Sequence, residues 1–297
     1  KEADDSVNAS EPDMLIHTFD QDPTDPLEFT WSEVYRTSEA MVHHINNPPV
    51  VAYVEKHQEI AEIDLAYLPI VGRGEQINII CSMHGIKVNA MMSKPMGEDF
   101  DKDTEAAYGT VPWMKDHANG LELNDSTAIV QYLVTKYEGP LTPKDPEEAA
   151  RIGNYWAWSQ DYYSYVLSPF HDIITGHNET FWRNLRLTDT LAEGGKETGI
   201  KNLTTLHNNR SNFLERYLSS SSDVKPFLTG SKCSYADIFL YTCVRTVQET
   251  NGFGILREET GGDPFKNYPI ISSICDEVGK IQTVKDTVGT KFSDCPI

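Results

Sequence analysis

The clearest hydrophobic pattern in the chain begins at Glu62. The segment EIDLAYLPI alternates apolar and polar residues, which predicts a strand. GRGEQINIICSMHGI follows with Ile77, Ile80 and Cys81 at helical spacing, which predicts a helix. KVNAMM predicts a second strand, and a loop over residues 93–107 separates it from TVPWMKD and from LELN, which predict two more. A helix over STAIVQYLVTKY completes a β-α-β, β-β-α order, which is typical of the thioredoxin fold.

The second half of the chain has a different pattern. After the Pro-punctuated linker GPLTPKDPEE, apolar residues recur with helical spacing and no strand signal appears. The predicted helices are Glu147–Phe170, Ile200–Ser220, Ser234–Thr250 and Pro269–Val288. We therefore predict an α/β plus all-α fold: a thioredoxin-like domain with a mixed four-stranded sheet over residues 62–139, then an all-helical domain over residues 140–297.

Residues 1–61 read as an extension to these two domains. Residues 1–26 are acidic and rich in Asp, Pro and Ser, a composition that buries little and predicts a mobile tail. Thr30 and Glu33 have the spacing of a capping box, so we expect a short helix over Thr30–Ile45. The segment from Val50 to Ile63 is compatible with either helix or strand.

Charge and composition narrow the function. Asp and Glu number 45 against 25 Lys and Arg, giving a net charge of −20 that disfavours binding to nucleic acid. Every apolar run in the sequence is well short of the roughly 20 residues that a membrane-spanning helix requires. The five cysteines show no metal-binding spacing, so we expect no metal. The absent initial methionine suggests a processed form, and five N-x-S/T sequons leave cytoplasm, organellar lumen and secretion all open.

Several short motifs together resemble those of one family, the glutathione transferases, and within it the sigma-like group. The motifs, in chain order and covering about four-fifths of the chain, are YLPIVGRGE at Tyr67–Glu75, GTVP at Gly109–Pro112, LNDSTAI at Leu123–Ile129, LTG with SYADI at Leu228–Ile238, and Tyr268-Pro269 before an apolar helix. Each motif alone is weak, but their common order and spacing make the resemblance specific.

The resemblance implies glutathione as the co-substrate and Tyr67 as the catalytic residue. A free thiol titrates near about 8.5 and reacts as the thiolate, so a tyrosine hydroxyl that donates to the sulfur lowers the thiol pKa and activates it. The alternative is a tyrosine that only packs in the core at a strand end. Arg73 is either an active-site cation or a structural partner of an acidic residue.

The family pattern also implies a binding set for the glutathione tripeptide. Pro112 is expected in the cis form, with the backbone of Val111 pairing with the cysteinyl part. Ser126 is expected to hold the γ-glutamyl carboxylate at a helix N-terminus, or simply to cap that helix. Asp125 and Thr110 stand where the family usually has glutamine, and Lys102 is the candidate for the glycyl carboxylate.

An apolar electrophile is expected beside Val71 and the aromatic residues that open the helical domain. Trp158, Tyr162 and Tyr165 recur at spacings of four and three, so they are predicted to share a helix face. Either this face lines a pocket for flat apolar molecules or it packs in the core.

Two functions remain open. The first is a glutathione transferase, or a related isomerase or peroxidase, that acts on a small apolar electrophile as a homodimer. The second is a non-catalytic binding or structural subunit that joins a protein assembly through the N-terminal extension. The extension itself, the insertion around residues 175–197 and the altered Thr110 and Asp125 favour the second.

Overall fold

The structure is a computed structural model that divides the chain into two compact units, residues 1–60 and 61–297. It describes residues 11, 13–21, 29–48, 50, 61–94, 96–169, 193–220, 226–250 and 253–290. Residues 51–60 of the ambiguous segment Val50–Ile63, residues 175–192 of the insertion around residues 175–197, and the sequons at Asn8 and Asn178 lie outside these ranges.

The N-terminal unit contains a two-stranded antiparallel sheet and one helix. Strands β1 (Met14–Gln21) and β2 (Phe29–Tyr35) pair, and helix α1 (Ser38–Ile45) follows. The predicted helix over Thr30–Ile45 is therefore wrong in its first half, and the predicted mobile tail is wrong for β1. Thr37, whose hydroxyl accepts the Ala40 N–H at 3.2 Å, caps α1 in place of Thr30. Helical spacing did not distinguish a short strand followed by a short helix from one longer helix.

A four-stranded mixed sheet begins the larger unit. Its strands are β3 (Glu62–Tyr67), β4 (Lys87–Met92), β5 (Trp113–Asp116) and β6 (Glu122–Asn124). Their order in the sheet is β4-β3-β5-β6. β3 pairs in parallel with β4 and antiparallel with β5, which pairs antiparallel with β6. Its helices are α2 (Arg73–Met83), the short α3 (Lys102–Glu105) and α4 (Ser126–Lys136). The topology is thioredoxin-like, as the sequence predicts.

The rest of the described chain is helical. Its elements are α5 (Pro146–Tyr162), a π-helical turn (Tyr163–Leu167), α6 (Lys196–Ser220), α7 (Tyr235–Glu249), α8 (Gly254–Glu259), α9 (Pro269–Lys280) and α10 (Gln282–Thr287). No strand lies among the described residues of this half, as predicted. The predicted helix over Pro269–Val288 is two helices, broken at Ile281, whose φ and ψ of −64° and 123° are extended. The hydrophobic pattern did not reveal α8.

Helix α7 is the centre of the helical half and also contacts α2 of the sheet half. Ser234 and Asp237 cap it: Asp237 accepts the Ser234 N–H at 2.9 Å and its hydroxyl at 2.5 Å. Arg245 of α7 forms a buried ion pair with Glu75 of α2 at 2.8 Å. Because Arg73 and Glu75 belong to the same first turn of α2, this ion pair helps to place Arg73 against the helical half.

Candidate functional site

Three loop-to-strand junctions meet at one end of the sheet. Ala66 pairs with Trp113 across β3 and β5, and Trp113 pairs with Asn124 across β5 and β6. One residue beyond these pairs lie Tyr67 and Pro112, and the Val111–Pro112 peptide bond is cis. The strand register therefore brings the predicted catalytic tyrosine close to the predicted tripeptide-binding loop.

Tyr67 lies directly beneath the N-terminus of α2. Its hydroxyl oxygen accepts the backbone N–H of Arg73 at 3.1 Å, and its side chain is buried, with 2% exposure. A Cβ at Gly74 would lie 2.3 Å from the Tyr67 ring, so only glycine permits this approach. A hydroxyl has one donor and two acceptor positions, and the contact with Arg73 uses an acceptor position of Tyr67.

The second hydroxyl at this point belongs to Tyr163, in the π-helical turn that follows α5. The two tyrosine oxygens lie 3.4 Å apart. A Cβ atom at Gly72 would lie 2.6 Å from the Tyr163 hydroxyl and 3.0 Å from the Tyr67 hydroxyl. The backbone at Gly72 therefore passes directly against both hydroxyl groups. Tyr163 lies within the aromatic run of the sequence, but helical spacing does not single it out, because that spacing does not anticipate a π-helical turn.

Burial is the main electrostatic influence on both tyrosines. It raises the pKa of Tyr67, while the Tyr163 hydroxyl, the Arg73 guanidinium and the N–H groups at the start of α2 oppose that rise. Burial raises the pKa of Tyr163 further. Both side chains are therefore neutral hydroxyl donors at neutral pH, which is the protonation state that thiolate stabilisation requires.

Arg73 connects the sheet half to the helical half through neutral groups. Its guanidinium donates to the Ser126 hydroxyl at 2.8 Å, to the Ser164 hydroxyl at 3.0 Å and to the Gln160 side-chain oxygen. It also lies 4.6 Å from the centre of the Tyr163 ring. Among the described residues, no carboxylate forms an ion pair with it. The first alternative for this residue, a cation of the site, therefore fits the structure better than a partner of an acidic residue.

Ser126 is the first residue of α4 and is almost fully buried, at 1% exposure. Its hydroxyl accepts from Arg73 and, at 3.3 Å, from the Gln160 side-chain N–H. The capping role belongs to Asp125, whose carboxylate accepts the Thr127 N–H at 2.9 Å. A helix N-terminus beside an arginine is an arrangement that favours an anion.

The remaining predicted binding residues lie around this centre. Val71, Thr110, Val111 and Asp125 are partly exposed. The Thr110 carbonyl accepts the side-chain N–H of Asn124 at 2.8 Å, which ties this loop to β6. Lys102 pairs with its neighbour Asp103 at 2.5 Å.

The three predicted pocket aromatics do not share one environment. Tyr162 is fully buried, and its hydroxyl forms a hydrogen bond of 2.7 Å with the Nδ1 atom of His207. The Tyr162 ring stacks on the Trp158 ring, with 5.1 Å between the ring centres. Tyr165 is 39% exposed, with the Arg210 guanidinium 5.2 Å from its ring centre. Core packing therefore describes Trp158 and Tyr162 in this structure, and the residues that face Tyr67 and Arg73 are Gln160, Tyr163 and Ser164.

Two further observations concern the described ranges as a whole. None of their helices combines the length and apolar character that a membrane crossing requires. Within the same ranges, no three His, Cys, Asp or Glu side chains are grouped so as to hold a metal ion.

Comparison with known proteins supports the architecture. Residues 193–286 match the family model described as glutathione S-transferase, C-terminal domain. The curated glutathione S-transferase D7 of Drosophila melanogaster is 26% identical over 192 residues, which is 63% of this chain and 75% of that protein.

Solved structures share the fold at low identity. The glutathione S-transferase of Ascaris lumbricoides superposes with a TM-score of 0.56 at 16% identity, over 80% of this chain and 100% of the other. A maleylacetoacetate isomerase from Methylobacterium extorquens AM1, solved with bound malonate and GSH, gives a TM-score of 0.52 at 19% identity, over 75% and 95%.

The sheet topology, the cis proline beside a strand-end tyrosine and the helical second half define a thioredoxin-like domain joined to a glutathione-transferase-type helical domain. The family model assigns residues 193–286 to the glutathione S-transferase C-terminal domain, and the curated relative supports a member of the glutathione transferase family.

Proposed function

We propose that this protein binds glutathione at the end of the sheet and conjugates it, through its thiolate sulfur, to a small apolar electrophile. The observation that carries the proposal is the environment of Arg73. This cation is partly buried, lies beside the Tyr67 hydroxyl and has only neutral partners among the described residues, in a chain whose net charge is −20. A cation in such a setting is suited to an anionic ligand.

The donors present fit the chemical groups of glutathione. A carboxylate fits the position where the Arg73 guanidinium meets the Ser126 hydroxyl at the start of α4. A thiolate fits the Tyr67 hydroxyl, because burial keeps that hydroxyl neutral and a neutral hydroxyl can donate to an anion. In the mechanism we propose, Tyr67 stabilises the thiolate by that hydrogen bond and Arg73 adds a positive potential.

One feature of the site favours the non-catalytic alternative. Tyr67 and Ser126 are 2% and 1% exposed, and Tyr163 lies against the Tyr67 hydroxyl. Because that hydroxyl is buried, a ligand sulfur reaches it only if neighbouring side chains, Tyr163 among them, shift outward. A chain that keeps them in place retains the family fold and lacks its chemistry.

Binding and turnover measured separately distinguish the two functions. Calorimetric titration with glutathione reports binding, and the rate of conjugation to chlorodinitrobenzene, corrected for the uncatalysed reaction, reports turnover. We expect both. Binding without turnover would assign the chain a binding role, and the absence of both would leave a structural role. Tyr165 lies away from this cluster, so Tyr165→Phe serves as the control variant. It should match the wild type in both binding and turnover.

A further inference from the structure

The N-terminal unit has a polar interior. His44, at 3% exposure, faces the hairpin, with its Nδ1 2.7 Å from a Glu11 oxygen and its Nε2 3.1 Å from a Glu33 oxygen. The Tyr35 hydroxyl donates to Glu33 at 2.5 Å, and the Asn47 side-chain amide donates to Glu11. Polar contacts of His44 and Asn47 therefore attach helix α1 to the rest of the unit.

The apolar side chains of α1 are on the outside of the unit. Met41, Val42 and Ile45 are 52%, 56% and 54% exposed, and their spacing puts them on one side of the helix. We call these three residues the α1 face. The hairpin repeats this arrangement, because the cross-strand neighbours Ile16 and Val34 are also about half exposed.

This unit exposes more apolar surface than its size explains. Of the eleven large apolar side chains recorded as exposed among the described residues, six belong to it. Those in the N-terminal unit are Leu15, Ile16, Val34, Met41, Val42 and Ile45. A two-stranded hairpin with one helix is marginally stable alone, and a contiguous exposed apolar patch usually marks an interaction site.

The charge of the same unit indicates what covers the face. Residues 1–60 contain thirteen Asp and Glu and three Lys and Arg, so their net charge is −10, half of the chain's −20 in about a fifth of its length. This field attracts cations and repels a second copy of the unit and anionic lipid surfaces. Complementarity therefore favours a partner that is both basic and apolar.

We propose that the α1 face is a docking surface for a basic amphipathic helix of another protein. The apolar side of that helix packs on Met41, Val42 and Ile45, and its Lys and Arg residues meet the acidic surroundings. The polar contacts of His44 hold α1 in the orientation that presents this face. Nothing in this role involves Tyr67 or Arg73, so it holds whether or not the chain binds glutathione.

A designed peptide tests the proposal with the full chain. The probe is a labelled amphipathic helix of Leu and Lys about 18 residues long, and fluorescence anisotropy reports its binding. We expect Met41→Ser/Val42→Ser/Ile45→Ser to weaken binding at least about tenfold. Phe213→Ser, which removes an apolar side chain that is 58% exposed in the other unit, should change binding less than about twofold. Raising salt from about 0.05 M to about 0.5 M should weaken binding as well.

Several results would overturn the proposal. A scrambled peptide of the same composition that binds equally would reduce the interaction to general charge attraction. Binding unchanged in the triple variant, or a preference for neutral lipid vesicles over the peptide, would remove the α1 face as a protein-docking site. A wild-type dimer that the triple variant abolishes would assign the face to a second copy.

A labelling experiment excludes the remaining occupant, the rest of this chain. Val42→Cys and Phe213→Cys replace side chains of similar exposure, 56% and 58%, and both should react with a maleimide at similar rates above the wild-type background. Val42→Cys that labels more than about tenfold more slowly would show that the chain covers the α1 face itself, and the docking proposal would fail.

Discussion

Tyr67 at the end of β3 and Tyr163 in the π-helical turn hold their hydroxyl oxygens 3.4 Å apart across 96 positions of sequence. Each half of the larger unit thus supplies one hydroxyl to the same point. Arg73 joins the pair, with its backbone N–H on the Tyr67 oxygen and its guanidinium over the Tyr163 ring. The helical half is therefore part of the candidate site and covers the sheet end on which the sulfur chemistry is proposed.

Tyr67→Phe should lower the rate of conjugation at neutral pH by roughly ten- to a hundredfold. The phenyl ring fills the same space, but a hydrogen bond to a charged sulfur, worth about 1.5–3 kcal/mol, is lost. The deficit should shrink as the pH rises past about 8.5, where the thiolate forms unaided. A pH–rate profile of both proteins checks this, and a mutant that matches the wild type at neutral pH would refute the tyrosine mechanism.

Arg73→Lys should weaken glutathione binding by about tenfold. An ammonium group does not reproduce the fork that reaches Ser126 and Ser164 together, and it is a poorer match for a carboxylate. Calorimetric titration measures the change. Arg210→Lys, at a surface arginine that pairs with Asp161, is the matched control and should bind as the wild type does. If the wild type, Arg73→Lys and Arg210→Lys all bound glutathione with equal affinity, the glutathione carboxylate would have to bind away from Arg73.

Arg245→Met should destabilise the fold by about 3–5 kcal/mol. Glu75 would then be a buried carboxylate without its cation, and burial already raises the pKa of Glu75 against the opposing effect of Arg245. The double variant Glu75→Gln/Arg245→Met should recover part of the lost stability, because it leaves no buried carboxylate at position 75 without a cation. Chemical denaturation of the three proteins tests this, and a double variant less stable than Arg245→Met would contradict it.

Alkaline conditions should unfold the protein. Burial raises the pKa of Tyr67, Tyr162 and Tyr163 above the unfolded value of about 10. Below that value these groups are protonated in both the folded and the unfolded state, and their full contribution to the free energy of unfolding is present. Above it the unfolded chain loses the protons first, so stability falls as the pH rises. Thermal melting against pH should show this decline, and phenolate absorbance should rise together with unfolding. Phenolate formation in the folded state near the ordinary value would contradict the expected shift.

Asn124 should carry no sugar if the chain is produced in a secretory system. Its side chain is 8% exposed, and its amide donates to the Thr110 carbonyl at 2.8 Å, so a glycan would disrupt the β6 junction. Peptide mapping of the folded, secreted protein decides the question. A sugar found on Asn124 would mean that the loop beside Ser126 adopts a different structure.

The sequence by itself determined the architecture of the larger unit. Alternation over Glu62–Tyr67 and the order of strands and helices predicted its sheet, because hydrophobic periodicity depends on neighbouring residues. The cis form of Pro112 was expected from the resemblance of the GTVP motif to the family pattern. The cap of α7 is local as well, because Ser234 and Asp237 are only three positions apart in the SYADI motif.

Only the tertiary structure decided which residues of the helical half meet Tyr67. A regular helix would give Trp158, Tyr162 and Tyr165 a common face, but the π-helical turn changes the rotation per residue and directs Tyr163 to the site. Likewise, the Thr30–Ile45 segment had helical spacing, yet pairing with β1 made its first half a strand. Contacts between distant segments outweigh local preference in both cases, since the free energy of pairing and burial comes from partners that the local sequence does not contain.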